Sequence, residues 1–260
     1  MKYLITADDF GMSESTNTTI LRGIDEGIIS STNIMMNMPY LNGCQELLKR
    51  KSVFVGIHWN LTTGKPVSPV ESVPSLVDSN GNMYRFPIFK EKAYKGEIKL
   101  EDIRTELKAQ LDSYIENYGL PDYWNTHNHT QMVTPIFETM VNLAAEYNVC
   151  RMRNNHKLYR GVNLKFAAKN LVIDSIYKAA KKRNMRMPDG LISFDDKFSR
   201  YSIKSYFLKG DGIAEIMIHV ASEVDSEYFG GMTDERIQQM NFYFSSEFKQ
   251  AVAGNVVFKQ

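Results

Sequence analysis

Along the chain, short runs of β-branched and aromatic residues alternate with longer stretches in which apolar positions recur at helical period. The short runs predict strands over residues 3–7, 32–36, 53–58, 123–127, 149–153, 191–194 and 214–220. Helices are predicted between them, over 15–27, 42–50, 100–118, 135–147, 171–184 and 203–208. The 100–118 segment is the clearest: Ile103, Leu107, Leu111, Tyr114 and Ile115 share one stripe, and Gly119-Leu120-Pro121 supplies a stop. Strand–helix alternation of this kind builds repeated βα units around a parallel sheet or barrel. A length of 260 residues favours one α/β domain over 1–260.

The segment at 60–98 departs from the alternation. Pro66, Pro69, Pro74 and Pro87 break any long helix, and residues 78–82 form a turn-rich Asp-Ser-Asn-Gly-Asn run. A long loop behind a strand that ends in histidine reads equally as a substrate wall or lid and as a decorated surface loop.

Acidic and basic residues nearly cancel, leaving a formal charge of +1, so no nucleic acid or anionic membrane is expected as a partner. Apolar runs are of strand length, and the first residues lead into acidic positions without a cleavage site, so a cytoplasmic location is expected. Cys44 and Cys150 stand too far apart for a CxxC pair and read as buried thiols. The plentiful Tyr, Phe and Met residues read chiefly as core.

The chemistry lies in where polar residues fall relative to the strands. Asp8-Asp9 follows the first strand, His58 ends the third, His127-Asn128-His129 ends the fourth, and His219 lies near the end of the last. In barrels and open α/β sheets, ligands bind at the carboxyl ends of strands, so these side chains are placed to share a pocket. One carboxylate with two imidazoles makes an open metal site that leaves room for water and substrate. Singly, each residue has a plainer reading: a strand-end histidine is ordinarily structural, as His156 is expected to be, and Asp8-Asp9 alone would serve as a helix cap or turn. Their joint placement carries the case.

The segments Ala7-Asp8-Asp9-Phe10-Gly11, Gly56-Ile57-His58-Trp59-Asn60-Leu61-Thr62 with Gly64-Lys65-Pro66, Asn125-Thr126-His127-Asn128-His129 and Ala214-Glu215-Ile216-Met217-Ile218-His219 resemble the YdjC-like carbohydrate deacetylases. That family includes the chitooligosaccharide deacetylases. The resemblance implies a distorted or incomplete (β/α) barrel and a divalent metal ion held by Asp9, His58 and His127, with Asp8 as general base and His219 as candidate acid. It favours Mg2+, while the two-histidine carboxylate set also suits Zn2+. The implied partner is an acetylated sugar, and a homodimer is left open. Three positions depart from the family pattern: Asn125 stands for Asp, Gln131 for His, and His219-Val220 for His-Pro. The first removes a carboxylate from the surroundings of a ligand, the second points to an altered substrate subsite, and the third leaves the acid least secure.

Amide hydrolysis needs a nucleophile, stabilisation of an oxyanion and a proton for the departing amine. A metal supplies the first two, a carboxylate accepts the water proton, and an imidazole protonates the nitrogen. Arg151 is a candidate for orienting Asp8, with a surface salt bridge an equal reading, and Asn125 and His129 are candidates for supporting the ligands or touching substrate. Trp59, Tyr84 and Phe86 read as packing before sugar stacking. Two rival functions stand beside the deacetylase: another metal hydrolase such as a phosphoesterase, disfavoured by the missing Gly-rich phosphate loop, and a non-catalytic sugar-binding or sensing protein.

Overall fold

The computed structural model describes residues 1–158, 164–193 and 211–260. Strands β1 (Lys2–Phe10), β2 (Ser31–Ile34), β3 (Phe54–Trp59), β4 (Trp124–Thr126), β5 (Gly190–Ser193) and β6 (Ile213–Ile218) form one sheet in the order β4-β3-β2-β1-β6-β5. Every pairing is parallel, as in Ile5↔Ile216 and Asn33↔Gly56. The strands are buried on both faces, which suits the apolar runs of β3 and β6, and Ile5, Ile34, Ile57, Ile216 and Ile218 are all inaccessible. Strands β2 and β4 bury polar residues such as Asn33 and Asn125 as well.

Helices α1 (Glu14–Asp25), α2 (Cys44–Leu48), α3 (Phe86–Tyr94), α4 (Leu100–Tyr118), α5 (Thr134–Glu146), α6 (Leu164–Ile176), α7 (Lys178–Lys182), α8 (Thr233–Tyr243) and α9 (Ser246–Val252) flank the sheet. The architecture is the expected incomplete barrel, an α/β fold built on a curled parallel sheet. One predicted strand is corrected. Residues 149–153 form no ladder; Met152 and Arg151 make single bridges to Trp124 and Arg186, and Lys157 bridges to Leu191. This irregular segment runs from the β4 edge to the β5 edge and meets each through isolated hydrogen bonds such as Trp124 N→Arg151 O and Leu191 N→His156 O, so the barrel stays incomplete there. The predicted helix 203–208 and the last residue of the predicted strand 191–194 lie outside the described residues.

The 60–98 segment is more ordered than its prolines suggest. It contains two 3-10 turns, a Val77↔Met83 bridge and α3, with Pro87 in the first turn of that helix, where a missing N–H costs nothing. Helix α4 holds it in place through polar residues on its buried face. Glu106 accepts from the backbone N–H groups of Val67 and Ser68 at 2.9 Å each, Asp102 from Ser75 at 2.8 Å, and Gln110 from Asn60 at 3.0 Å. The apolar stripe of α4 meets the core as predicted, with Ile103, Leu107 and Leu111 inaccessible.

At the carboxyl end of β1 the ladder is broken between Ala7 and Phe10, and Asp9 takes a left-handed backbone (φ 70°). Successive residues of a regular strand point to opposite faces. The irregularity lifts that constraint and turns neighbouring carboxylates toward one site.

Candidate metal centre

Asp9, His58 and His127 come from the ends of β1, β3 and β4, and their ligand atoms lie within 4.8 Å of one another. Asp9 Oδ1 stands 3.1 Å from His58 Nε2 and 2.9 Å from His127 Nδ1. His58 Nδ1 lies 2.6 Å from Asn125 Oδ1, and the Asn125 amide nitrogen donates to Asp8 at 3.2 Å. With its nitrogen committed to a carboxylate, Asn125 presents its oxygen to the imidazole, so His58 Nδ1 donates to it and the Nε2 edge faces Asp9. Asn125 thus serves His58 as an acceptor, although it lacks the charge of an Asp.

Burial raises the Asp9 carboxyl, but His127 and Arg236 outweigh it and hold the group well below the usual range. Arg236 Nη2 donates to Asp9 Oδ2 at 2.5 Å, leaving Oδ1 for the two histidines. Its guanidinium also lies over the Phe229 ring, 4.6 Å from the centroid. Nothing in local sequence marked Arg236, which is on α8, 227 residues from Asp9.

Asp8 is also fully enclosed. Its guanidinium partner is Arg153, with Nη1 at 2.6 Å from Oδ2 and Nη2 at 2.8 Å from Oδ1, and Asn33 donates to Oδ1 at 2.6 Å. This corrects the expectation for Arg151, whose side chain is exposed. The two arginines differ by two positions in an irregular segment, where no strand alternation tells which faces inward. Arg153 is shared with Glu215, at 2.9 and 2.7 Å. Burial raises the Asp8 carboxyl, yet Arg153 and His58 prevail and keep it ionised. His219 Nε2 stands 3.9 Å from Asp8 Oδ2, and burial pushes its imidazole down to about 4, so it is neutral in the resting site.

Among the buried charges, the carboxylates of Asp8, Asp9 and Glu215 face the guanidinium groups of Arg153 and Arg236. The excess of carboxylates over guanidinium groups, the converging carboxylate and imidazole donors and the orientation of His58 by Asn125 all fit a divalent cation. A cavity of about 1450 Å³ opens over the cluster, with Asp8, Asp9, His58, His127, His219 and Arg236 in its wall. The 60–98 segment forms another wall through Tyr84 and Phe86, among others, whereas Trp59 is buried against Trp124 at 5.2 Å and belongs to the core. His129 lines the cavity; burial, followed by Arg153 and Lys157, lowers its imidazole well below the usual range. Gln131 is inaccessible and bonds to Thr126 and Asn155, so its place in the pattern is internal support, not the altered subsite expected. His156 is half-buried beside Tyr177, outside the cluster.

A family model described as YdjC-like protein matches residues 2–254. Among curated relatives, a carbohydrate deacetylase of Clostridium beijerinckii is 35% identical over 150 residues, covering 57% of this chain and 58% of that protein. A chitooligosaccharide deacetylase of Proteus mirabilis is 28% identical over 264 residues, covering 96% and 93%. The match thus spans under two thirds of the first relative and nearly all of the second. A solved structure from Enterococcus faecalis V583, named for a suggested role in cellobiose-phosphate cleavage, superposes with a TM-score of 0.73 at 24% identity, covering 96% of this chain and 93% of that one. The likeness is one of fold.

Proposed function

The chain belongs to the YdjC-like protein family, and from that premise we propose that it is a metal-dependent deacetylase acting on N-acetylated mono- or oligosaccharides. The observation that carries the reading is the pairing of a three-donor metal cluster with a second carboxylate, Asp8, that the cluster does not need. A binding protein requires the pocket but gains nothing from an ionised carboxylate held beside the metal ligands.

Asp9, His58 and His127 would hold the ion. When bound, a divalent metal polarises the acetyl carbonyl and acidifies water. The remaining work falls to the chain. Arg153 and Asn33 fix Asp8, whose Oδ2 accepts the proton of the attacking water. His219 Nε2 lies 3.9 Å from that oxygen, a span that one water or a small shift of the ring bridges, and lines the same cavity, so it is the group assigned to protonate the departing nitrogen. One water proton then moves by way of Asp8 and His219 to the departing nitrogen as the C–N bond breaks, and the remaining O–H stays on the acyl carbon. The products are the free amine and acetic acid, which ionises to acetate in solution. The resting state of both groups suits this relay, since Asp8 is ionised and His219 neutral.

A cavity of about 1450 Å³ exceeds the needs of one sugar ring and favours oligomers. The resemblance favours Mg2+, whereas two imidazole donors favour Zn2+ or a similar transition metal. The deciding experiment is acetate release from a series of N-acetylglucosamine oligomers, with the protein reconstituted in each metal. Release in one metal and none in chelator is expected. Binding of the sugars without acetate release in any metal would replace the reading with a sugar-binding one.

A further inference from the structure

Asn128 and His129 both occupy the left-handed backbone region, at φ 54° and 52°, in the turn that follows β4. Such conformations in non-glycine residues persist where surrounding contacts hold them, and they gather at functional sites. Here the contacts form a chain of buried hydrogen bonds. Thr126 Oγ1 accepts from the Gln131 backbone N–H, so its own proton goes to Gln131 Oε1. Gln131 is thereby oriented with Nε2 donating to Asn155 Oδ1 at 2.8 Å. Tyr177 acts in the same sense: its hydroxyl accepts from the Asn155 backbone N–H at 3.0 Å and donates to Asn155 Oδ1 at 2.8 Å. Asn155 Oδ1 therefore receives two donors, and its amide nitrogen is left to donate to His129 Nδ1, 3.1 Å away.

A neutral imidazole that accepts at Nδ1 carries its proton on Nε2. With Nδ1 turned to Asn155, the Nε2 edge is the one left for the cavity that His129 shares with Asp8 and His219. We propose that His129 is a substrate-binding residue whose Nε2–H is a fixed, uncharged donor to a hydroxyl oxygen of the acetylated sugar, with Asn155 as its positioning residue. The acetyl carbonyl is taken by the metal in the deacetylase reading on which this inference rests, and of the sugar's remaining oxygens the hydroxyls are the stronger and more accessible acceptors. A donor of set direction discriminates between epimers, because an oxygen on the opposite face of the ring leaves the N–H unpaired.

The test uses the full chain with 15N-labelled histidine. Nitrogen shifts and couplings should show His129 as the Nε2–H tautomer. Asn155→Asp should move the proton to Nδ1, because a carboxylate can only accept there. Affinity for short N-acetylglucosamine oligomers should fall about five- to tenfold in His129→Leu and in Asn155→Asp, the range expected for one neutral hydrogen bond. His129→Gln, which keeps a side-chain N–H donor, should recover most of it, with metal content unchanged throughout. Asn155→Asp and His129→Gln keep the test decisive if the leucine variant fails to fold. A wild-type Nδ1–H tautomer, or oligomer affinity equal in all three variants, overturns the inference whatever the activity. Wild-type binding of the oligomers with the Nε2–H tautomer but no acetate release overturns the deacetylase reading and leaves the inference standing.

Discussion

Adjacent carboxylates in one pocket repel each other, and the structure keeps both ionised by giving each its own guanidinium, Arg153 for Asp8 and Arg236 for Asp9. The pair should therefore separate by mutation. Asp9→Asn is expected to lose divalent metal, while Asp8→Asn keeps it and loses turnover by about a hundredfold or more, as positioned acid–base groups typically contribute. Metal analysis beside steady-state rates checks both, and equal metal loss in the two variants would make Asp8 a ligand. Arg236 acts on the other side of the same carboxylate. By occupying Oδ2 it restricts Asp9 to coordination through Oδ1, so Arg236→Met should weaken metal affinity about tenfold, in line with losing a partner that orients a ligand, as calorimetry would show. His219 supplies a pH dependence whose sign can be worked out. In the unfolded chain its imidazole titrates near 6.5, whereas burial holds it down at about 4 in the fold. Between those values the unfolded state binds the extra proton, so stability is full above 6.5 and is lost as the pH falls toward 4. Urea midpoints of chelated protein should decline over that window, and more shallowly in His219→Gln; identical slopes would count against the shift.

At the scale of elements, α4 joins two jobs that its sequence displays separately. Its apolar stripe packs on the core, and the polar positions Asp102, Glu106 and Gln110, also buried, hold the 60–98 segment that walls the cavity. Glu106→Gln would set amide hydrogens against the Val67 or Ser68 N–H, leaving a buried donor unpaired at a cost of about 1–3 kcal/mol. A lower urea midpoint together with a raised KM is expected, and an unchanged KM would detach the segment from substrate binding. The stripe of α4 was legible because Ile103, Leu107 and Leu111 recur at helical spacing, but nothing in that spacing distinguishes a buried Glu from an exposed one. Strands β3 and β6 were legible for a similar reason: burial on both faces leaves a largely apolar run. Residues 149–153, Val-Cys-Arg-Met-Arg, have strand-like residue types but form only single bridges, because at this seam the incomplete barrel carries no ladder. Helices α8 and α9 passed unread, although α8 delivers Arg236. Its apolar and polar positions lack a clean face, because that helix buries Arg236 and Gln239 toward the site.

Curling of the whole sheet brings the carboxyl ends of β1, β3, β4 and β6 around one cavity, so residues from Asp8 to Arg236 meet although more than two hundred positions separate them. The ADDFG and GIH segments carry the proposed ligands Asp9 and His58 in recognisable motifs, while the groups that set their charge come from distant chain and carry no motif. Under the proposed reaction, that whole-molecule arrangement also bears on which bond is cut. A sugar-binding barrel with two carboxylates invites comparison with glycosidases, which place their pair about 5 to 9.5 Å apart on opposite sides of the scissile bond. Here Asp8 and Asp9 are consecutive, Asp9 faces two imidazoles, and Asp8 alone is left to take a proton. Neither is arranged to protonate a glycosidic oxygen from the far face. A short N-acetylglucosamine oligomer should consequently lose acetate with its glycosidic bonds intact, and chelation should abolish the loss. Mass spectrometry separates the outcomes, because deacetylation lowers the mass without shortening the chain. Shorter sugars that keep every acetyl group, formed equally well in chelator, would sink both the reaction and the role given to the metal.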